Sequence, residues 1–407
     1  MKTSFKKSSL LCIFTCSLIL LTSAFGEDKP SIPTVPLKLG DILITGTTGT
    51  LDRVAPGFQI ELDLGLMGLY RGHYKQALED LRPLLWKDIY YRNLWQIPAL
   101  IADLERRIKN EESPDPVKDM DSVAGLIREL ENVAVLQMSD PGWADPIQSE
   151  TVRKLIAHGE AAMEPLLECL ENDDRLTRSL NKGRISTTWN HAITVRTAAF
   201  RAIQGILQTA DPGHLGPWLG GGFILTREQG QTAATAIRAY WEPAKGLSNA
   251  ERWYKRLADD SLPPECWIFE AGYIVETANV NDSGGAIPVL CMGSVGDRKD
   301  QYFAAPTKGE SLRAKTAPTV SELLIKRMNY LIQHAAGNGG RHLDHACRFA
   351  WALAMWDGKA HKDELAAFRE KLLQTTPTAP AFREARKRMS EMLEKKLTDF
   401  TETNNPT

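Results

Sequence analysis

The stretches AMEPLLECLEND (residues 162–173) and VRTAAFRAIQGIL (residues 195–207) decide the fold class. In the first, Ala162, Leu166, Leu167 and Leu170 recur at steps that gather apolar side chains on one face of a helix. In the second, Val195, Ala198, Ala199, Ala202, Ile203, Ile206 and Leu207 do the same, and the alanines leave room for a neighbouring helix to come close. Pro165 lies inside the first pattern, where a proline is expected to bend the axis, and Asp173 stands at its exit. The two patterns predict a pair of amphipathic helices, joined by a connection from Asp174 to Ile193 that is far longer than an ordinary helix–helix turn.

A first helix with an internal proline, an aspartate at the turn, the Val195–Arg196 pair and small alanines in the second helix together resemble a HEAT repeat. The resemblance implies an all-α chain, a helical-repeat solenoid of antiparallel helix hairpins whose successive helices build a groove for proteins or peptides. Upstream, Leu62, Leu66, Leu69, Ala77, Leu78 and Leu81 also fall at helical steps, with Gly72 breaking the run. There Gly65, Tyr70, Gly72, Tyr74 and Ala77 resemble the first half of a tetratricopeptide repeat. The expected organisation is tetratricopeptide-like hairpins over 58–112, a HEAT-like region over 120–278 with an inserted loop at 174–193, and a C-terminal helical region over 319–400.

Local signals fix several helix ends. Ser248 with Glu251, and Thr319 with Glu322, each form the reciprocal capping-box pattern ahead of apolar residues. Asp145 and Pro146 suit a helix start, and Gly159 suits a stop. Val123, Leu126, Ile127, Leu130, Val133 and Ala134 read as one helical stripe, capped by Asp121 or Ser122. A further helix is expected over Leu94 to Lys109, one opening at Pro263 and Pro264, and three more over His342 to Trp356, Lys362 to Gln374 and Ala381 to Thr398. Residues 279–318 are a Gly/Pro-rich loop without periodicity, and residues 401–407 a polar tail expected to be disordered.

The chain begins with Lys2, Lys6 and Lys7, an apolar run from Leu10 to Leu21, and small residues at Ser23, Ala24 and Gly26. This is the order of a signal peptide over residues 1–26, and it predicts a secreted or periplasmic protein; the rival is an uncleaved anchor. Residues 27–57 form an irregular lead-in, whose Gly46 and Gly49 lack the lysine of a phosphate loop. A formal net charge of -2 gives no whole-molecule attraction to nucleic acid. Cys169, Cys266, Cys291 and Cys347 remain after the signal peptide, either as two disulfides or as buried free thiols, and no paired-cysteine zinc spacing occurs.

Candidate chemistry is sparse, and no cofactor is expected. His342 and His345 share a helix face and could share a metal given a third ligand, although the HExxH signature is absent. The insertion carries the basic cluster Arg175, Arg178, Lys182, Arg184, His191 and Arg196 around Trp189. Arg178, Arg184, Trp189 and His191 are therefore candidate contacts to a partner protein. The opposing expectation pairs Arg175, Arg178 and Arg196 with Glu171, Asp173 and Asp174 inside the turn. Of the tryptophans, Trp253, Trp267, Trp351 and Trp356 lie in helical patterns and are expected to pack, whereas Trp143, Trp189 and Trp218 are better placed for exposure. The function expected is an exported protein-interaction scaffold, the alternative being an α-helical hydrolase or lyase acting on a polysaccharide.

Overall fold

A computed structural model describes residues 56–86, 97–112, 119–136, 144–181, 191–209, 227–278, 312–313, 316–335, 341–375 and 380–402. The expectations for the signal peptide, the lead-in, most of the 279–318 loop, the end of the tail, Arg184, Trp143, Trp189, Trp218 and Cys291 lie outside these residues. Fourteen α-helices and two short strands make up the described part, so the chain is predominantly helical.

The first group is α1 (Pro56–Arg71), α2 (Tyr74–Leu81) and α3 (Ile97–Glu112), with α1 packed on α2 and α2 on α3. Close approach explains the small residues here: a Cβ on Gly65 would stand 2.3 Å from Leu81 Cγ, and one on Gly68 2.8 Å from Ala77 Cβ. Gly72 turns the chain between the two helices at a φ of +79, a conformation that costs glycine little.

The second group runs through α4 (Val123–Glu129), α5 (Glu150–Ala157), α6 (Met163–Asn172), α7 (Val195–Leu207) and α8 (Arg227–Trp241). Ser122 caps α4, accepting from the Gly125 amide. Helix α6 packs on both α7 and α8, and Ala198, Ala199 and Ala202 of α7 are fully buried in the contact. Pro165 is the third residue of α6, where an N–H has no intrahelical acceptor to lose, so it sits at the helix start rather than in its interior, just after the 3-10 turn Gly159–Ala162.

Two expectations are corrected in this region. The stripe from Val123 to Ala134 is not one helix: α4 ends at Glu129, a 3-10 turn covers Leu130–Asn132, and Val133 to Leu136 run on towards the sheet. The 174–193 insertion is not simply a loop, because its ends form an antiparallel hairpin of β1 (Leu176–Asn181) and β2 (His191–Thr194). One cause underlies both. The carbonyls of Val133 and Val135 accept from the Arg178 and Leu180 amides at 2.9 Å, so β-branched residues that match a helical period serve instead as an edge beside β1. Leu176, Leu180 and Ala192 carry this hairpin into the core of the first group.

The third group contains α9 (Asn249–Ala258), α10 (Pro264–Ala278), α11 (Val320–Gln333), α12 (Arg341–Asp357), α13 (Lys362–Gln374) and α14 (Pro380–Glu402). Both capping boxes form, Ser248 with Glu251 and Thr319 with Glu322. Trp253, Trp267 and Trp356 are buried in one cluster with Trp351 packed against it, as the helical spacing predicts. At the end of the Gly/Pro-rich segment Leu312 joins that cluster, and Arg313 donates to the Trp356 carbonyl at 2.7 Å.

Arginine bonds to the exposed carbonyl ends of helices recur through the structure. Arg178 donates to Tyr70 O at the end of α1, Arg175 to Ile127 O and Arg128 O at the end of α4, and Arg196 to Leu170 O near the end of α6. Arg327 does the same to Leu257 O of α9. These carbonyls lie in the last turns, at the negative end of the helix dipole, where the regular i+4 donor runs out, so a planar cation satisfies them well; Ile127 O also accepts from the Leu130 amide.

Candidate functional site

Helices α3, α4 and α6 diverge enough to leave a cleft of about 890 Å³. Its walls are small and apolar: Ala99 and Ala102 on α3, Ala124 and Ile127 on α4, Pro165 and Cys169 on α6. Helical periodicity separates this surface from the core. Leu100, Ile101 and Leu104 of α3 turn into the first cluster, while Ala99, Ala102, Asp103 and Arg106 recur at steps of three or four along the face that opens on the cleft.

The rim is charged and largely held in place. Arg106 donates to Asp103 at 2.7 Å and to Glu131 at 2.6 Å. Behind it the buried Arg107 reaches Asp103 at 2.7 Å, Tyr74 Oη at 3.2 Å and Leu176 O at 2.6 Å, joining α2, α3 and β1. On the opposite side Arg175 grips Asp173, with its Nη2 donating to Oδ2 at 2.7 Å. Burial opposes ionisation of Asp173, but the bonded Arg175 guanidinium outweighs it and holds that carboxyl below its ordinary range. Asp174 is shared between Arg196 and Arg227. Glu168 and Asn172 stand exposed at the edge. The lining holds four carboxylates, Asp103, Glu168, Asp173 and Asp174, against the two cations Arg106 and Arg175.

Cys169 is not placed for nucleophilic work. Burial first, and the adjacent Asp173 second, push its thiol well above the usual range, and the sulfur donates to Asp173 Oδ2 at 3.2 Å. A protonated thiol at neutral pH is a packing group and a weak donor. Cys347 is likewise a buried free thiol, and Cys266 is buried as well.

Of the candidate residues read from the sequence, the described Arg178, His191, His342 and His345 do not line this cleft. Arg178 is half-buried and spends its guanidinium on Tyr70 O, at 2.6 and 3.0 Å. His191 opens β2, with its Nε2 3.2 Å from Asn181 Nδ2. Arg175 and Arg196 pair with Asp173 and Asp174 as local charge predicts, whereas Arg178 takes a carbonyl and Glu171 takes Arg238. His342 hydrogen-bonds the His334 carbonyl at 3.2 Å, while His345 is partly buried and its pKa is lowered, chiefly by desolvation. Among the described residues no three His, Cys, Asp or Glu side chains gather around a common point for a metal.

Two features were missed. The cleft residues carry no motif, since three helices far apart in sequence supply them. The second omission was legible: Arg383, Arg386, Lys387 and Arg388 on α14 form a basic cluster denser than that of the insertion. Among the described residues no helix is long and apolar enough to cross a membrane. Set against protein-family models, curated protein sequences and solved structures, the chain matches none of them.

Proposed function

We propose that this protein is an exported helical-repeat scaffold of HEAT-like type that holds a segment of a partner protein in the cleft between α3, α4 and α6. The observation that carries the reading is the cleft itself: an apolar channel walled by alanines, with a rim whose ion pairs are already made. A wall of small side chains admits another backbone closely, and a rim fixed by Arg106 and Arg175 loses little conformational freedom when something binds. Glu168, exposed at the edge while Asp103, Asp173 and Asp174 are paired with arginines, favours an apolar segment with a lysine or arginine beside it. The signal-peptide pattern over residues 1–26 supports export.

Photo-crosslinking tests this directly. Benzoylphenylalanine replaces Ala102 or Ala124, both exposed on the cleft wall, or Lys359 as a remote control. Irradiation with secreted and envelope fractions of the source cells is expected to attach one and the same protein from the two cleft positions. An apolar peptide with basic flanks should compete it away. No adduct from the cleft, or equal labelling from position 359, would refute the proposal.

A further inference from the structure

A second concave surface lies in the third group, about 600 Å³ in volume, between α13 and α14. Its lining carries Arg369, Arg383, Arg386 and Lys387 against Glu391 and Glu394, a surplus of positive charge on a chain whose formal net charge is -2. Two of the cations belong to the fold. Arg369 donates to Glu394 at 2.7 Å and to Ser390 O at 3.3 Å, and Arg386 closes the end of α13 by donating to the carbonyl of Thr375.

Arg383 and Lys387 differ from them. Both are exposed, and neither has a hydrogen-bond or ion-pair partner among the described residues. They are four residues apart on α14, so they stand on one face about 6 Å apart along the axis. Across the groove Leu373 of α13 is 46% exposed, one of few large apolar side chains left in solvent among the described residues. Ordered arginines behind two open cations, beside an uncovered leucine, make a surface complementary to carboxylates with an apolar residue between them.

We infer that the α13–α14 groove binds an acidic amphipathic segment of a partner protein, its carboxylates spaced one helical turn apart to meet Arg383 and Lys387, with an apolar side chain resting on Leu373. A helical peptide fits the spacing, because it presents carboxylates at i and i+4 about 6 Å apart on one face, by the rise of about 1.5 Å per residue. This surface is separate from the α3–α4–α6 cleft and formed by other helices, so the inference stands without the partner proposed there.

The test uses the full mature chain and two probes: a fluorescein-labelled helical peptide with glutamates at i and i+4 around a leucine, and vesicles of phosphatidylglycerol. Fluorescence anisotropy is expected to show peptide binding that weakens as salt rises. Reversal in Arg383→Glu with Lys387→Glu should weaken it at least about tenfold, and the milder Arg383→Gln with Lys387→Gln by less, with helicity and melting temperature unchanged in both. Reversal of the exposed Arg153 and Lys359 should leave affinity as it was. Equal binding by the reversed variant, or equal loss in the remote control, overturns the inference. Vesicle binding lost on reversal without any peptide binding also overturns it, assigning the groove to an anionic lipid surface.

Discussion

Replacing Arg201 by Met should be among the most destabilising single changes in the second helical group. Arg201 lies within α7, and Asp145 caps the 3-10 turn Pro146–Gln148; both side chains are 3% exposed. The pair is bidentate, Nε to Oδ1 at 3.0 Å and Nη2 to Oδ2 at 2.8 Å, while Gln204 Oε1 accepts from the remaining Nη1. Removing the guanidinium leaves a buried carboxylate to which the Ile147 amide, 3.2 Å away, still donates within the turn. A charge stranded in this way costs about 3–5 kcal/mol, whereas removing both charges relieves the penalty. Asp145→Asn keeps the capping oxygen, so Arg201→Met should cost roughly 3–5 kcal/mol alone and the double variant at least about 1.5 kcal/mol less than the two singles summed. Urea unfolding followed by circular dichroism, compared at constant m-value, measures all four corners of the cycle. A cost below about 1 kcal/mol for Arg201→Met, or additivity within about 0.5 kcal/mol, would refute the account of this pair as a buried, mutually dependent tie.

Two further predictions concern titrating groups at and beyond the cleft. Because the Asp173 carboxyl is held below its unfolded value of 3.8, its contribution is full above that value and is lost as pH falls through the lower, folded one. Melting temperatures of wild type and Asp173→Asn should therefore differ at pH 7 and converge towards pH 3; a gap that does not change with pH would show that the Arg175 pairing carries no net stability. Burial pushes the Cys347 thiol up to about 12 and the Cys169 thiol upward as well, so iodoacetamide at pH 8 should spare both in the native protein and label both in urea, as read by peptide mass spectrometry.

Where the sequence and the structure agree, the determining interactions are short in range. A helix bonds its own backbone four residues away, and a capping box closes within three, so Ser248 with Glu251 and Thr319 with Glu322 could be read from spacing alone. The buried tryptophans of the third group followed from the same periodicity. Agreement failed at Val133 and Ala134, where the expected helix is outcompeted by β1, a strand more than forty residues further on whose Arg178 amide donates to Val133 O. The two basic clusters show a second limit. Charge density in sequence marked the insertion, yet Arg175, Arg178 and Arg196 are taken up by helix ends and aspartates, whereas Arg383 and Lys387 stand open.

The sequence by itself determined the helical class, most helix starts and the residues that pack between helices, because amphipathic spacing and capping act within a few residues. Only the tertiary structure decided which carbonyl each arginine closes, which segment joins the hairpin and where the helices part to form a cleft. Arg178 reaches Tyr70 across a sequence separation of 108 residues, and Arg107 reaches Leu176 across 69. A guanidinium can satisfy many carbonyls equally well, and the packing of the helices that carry them selects the one it meets.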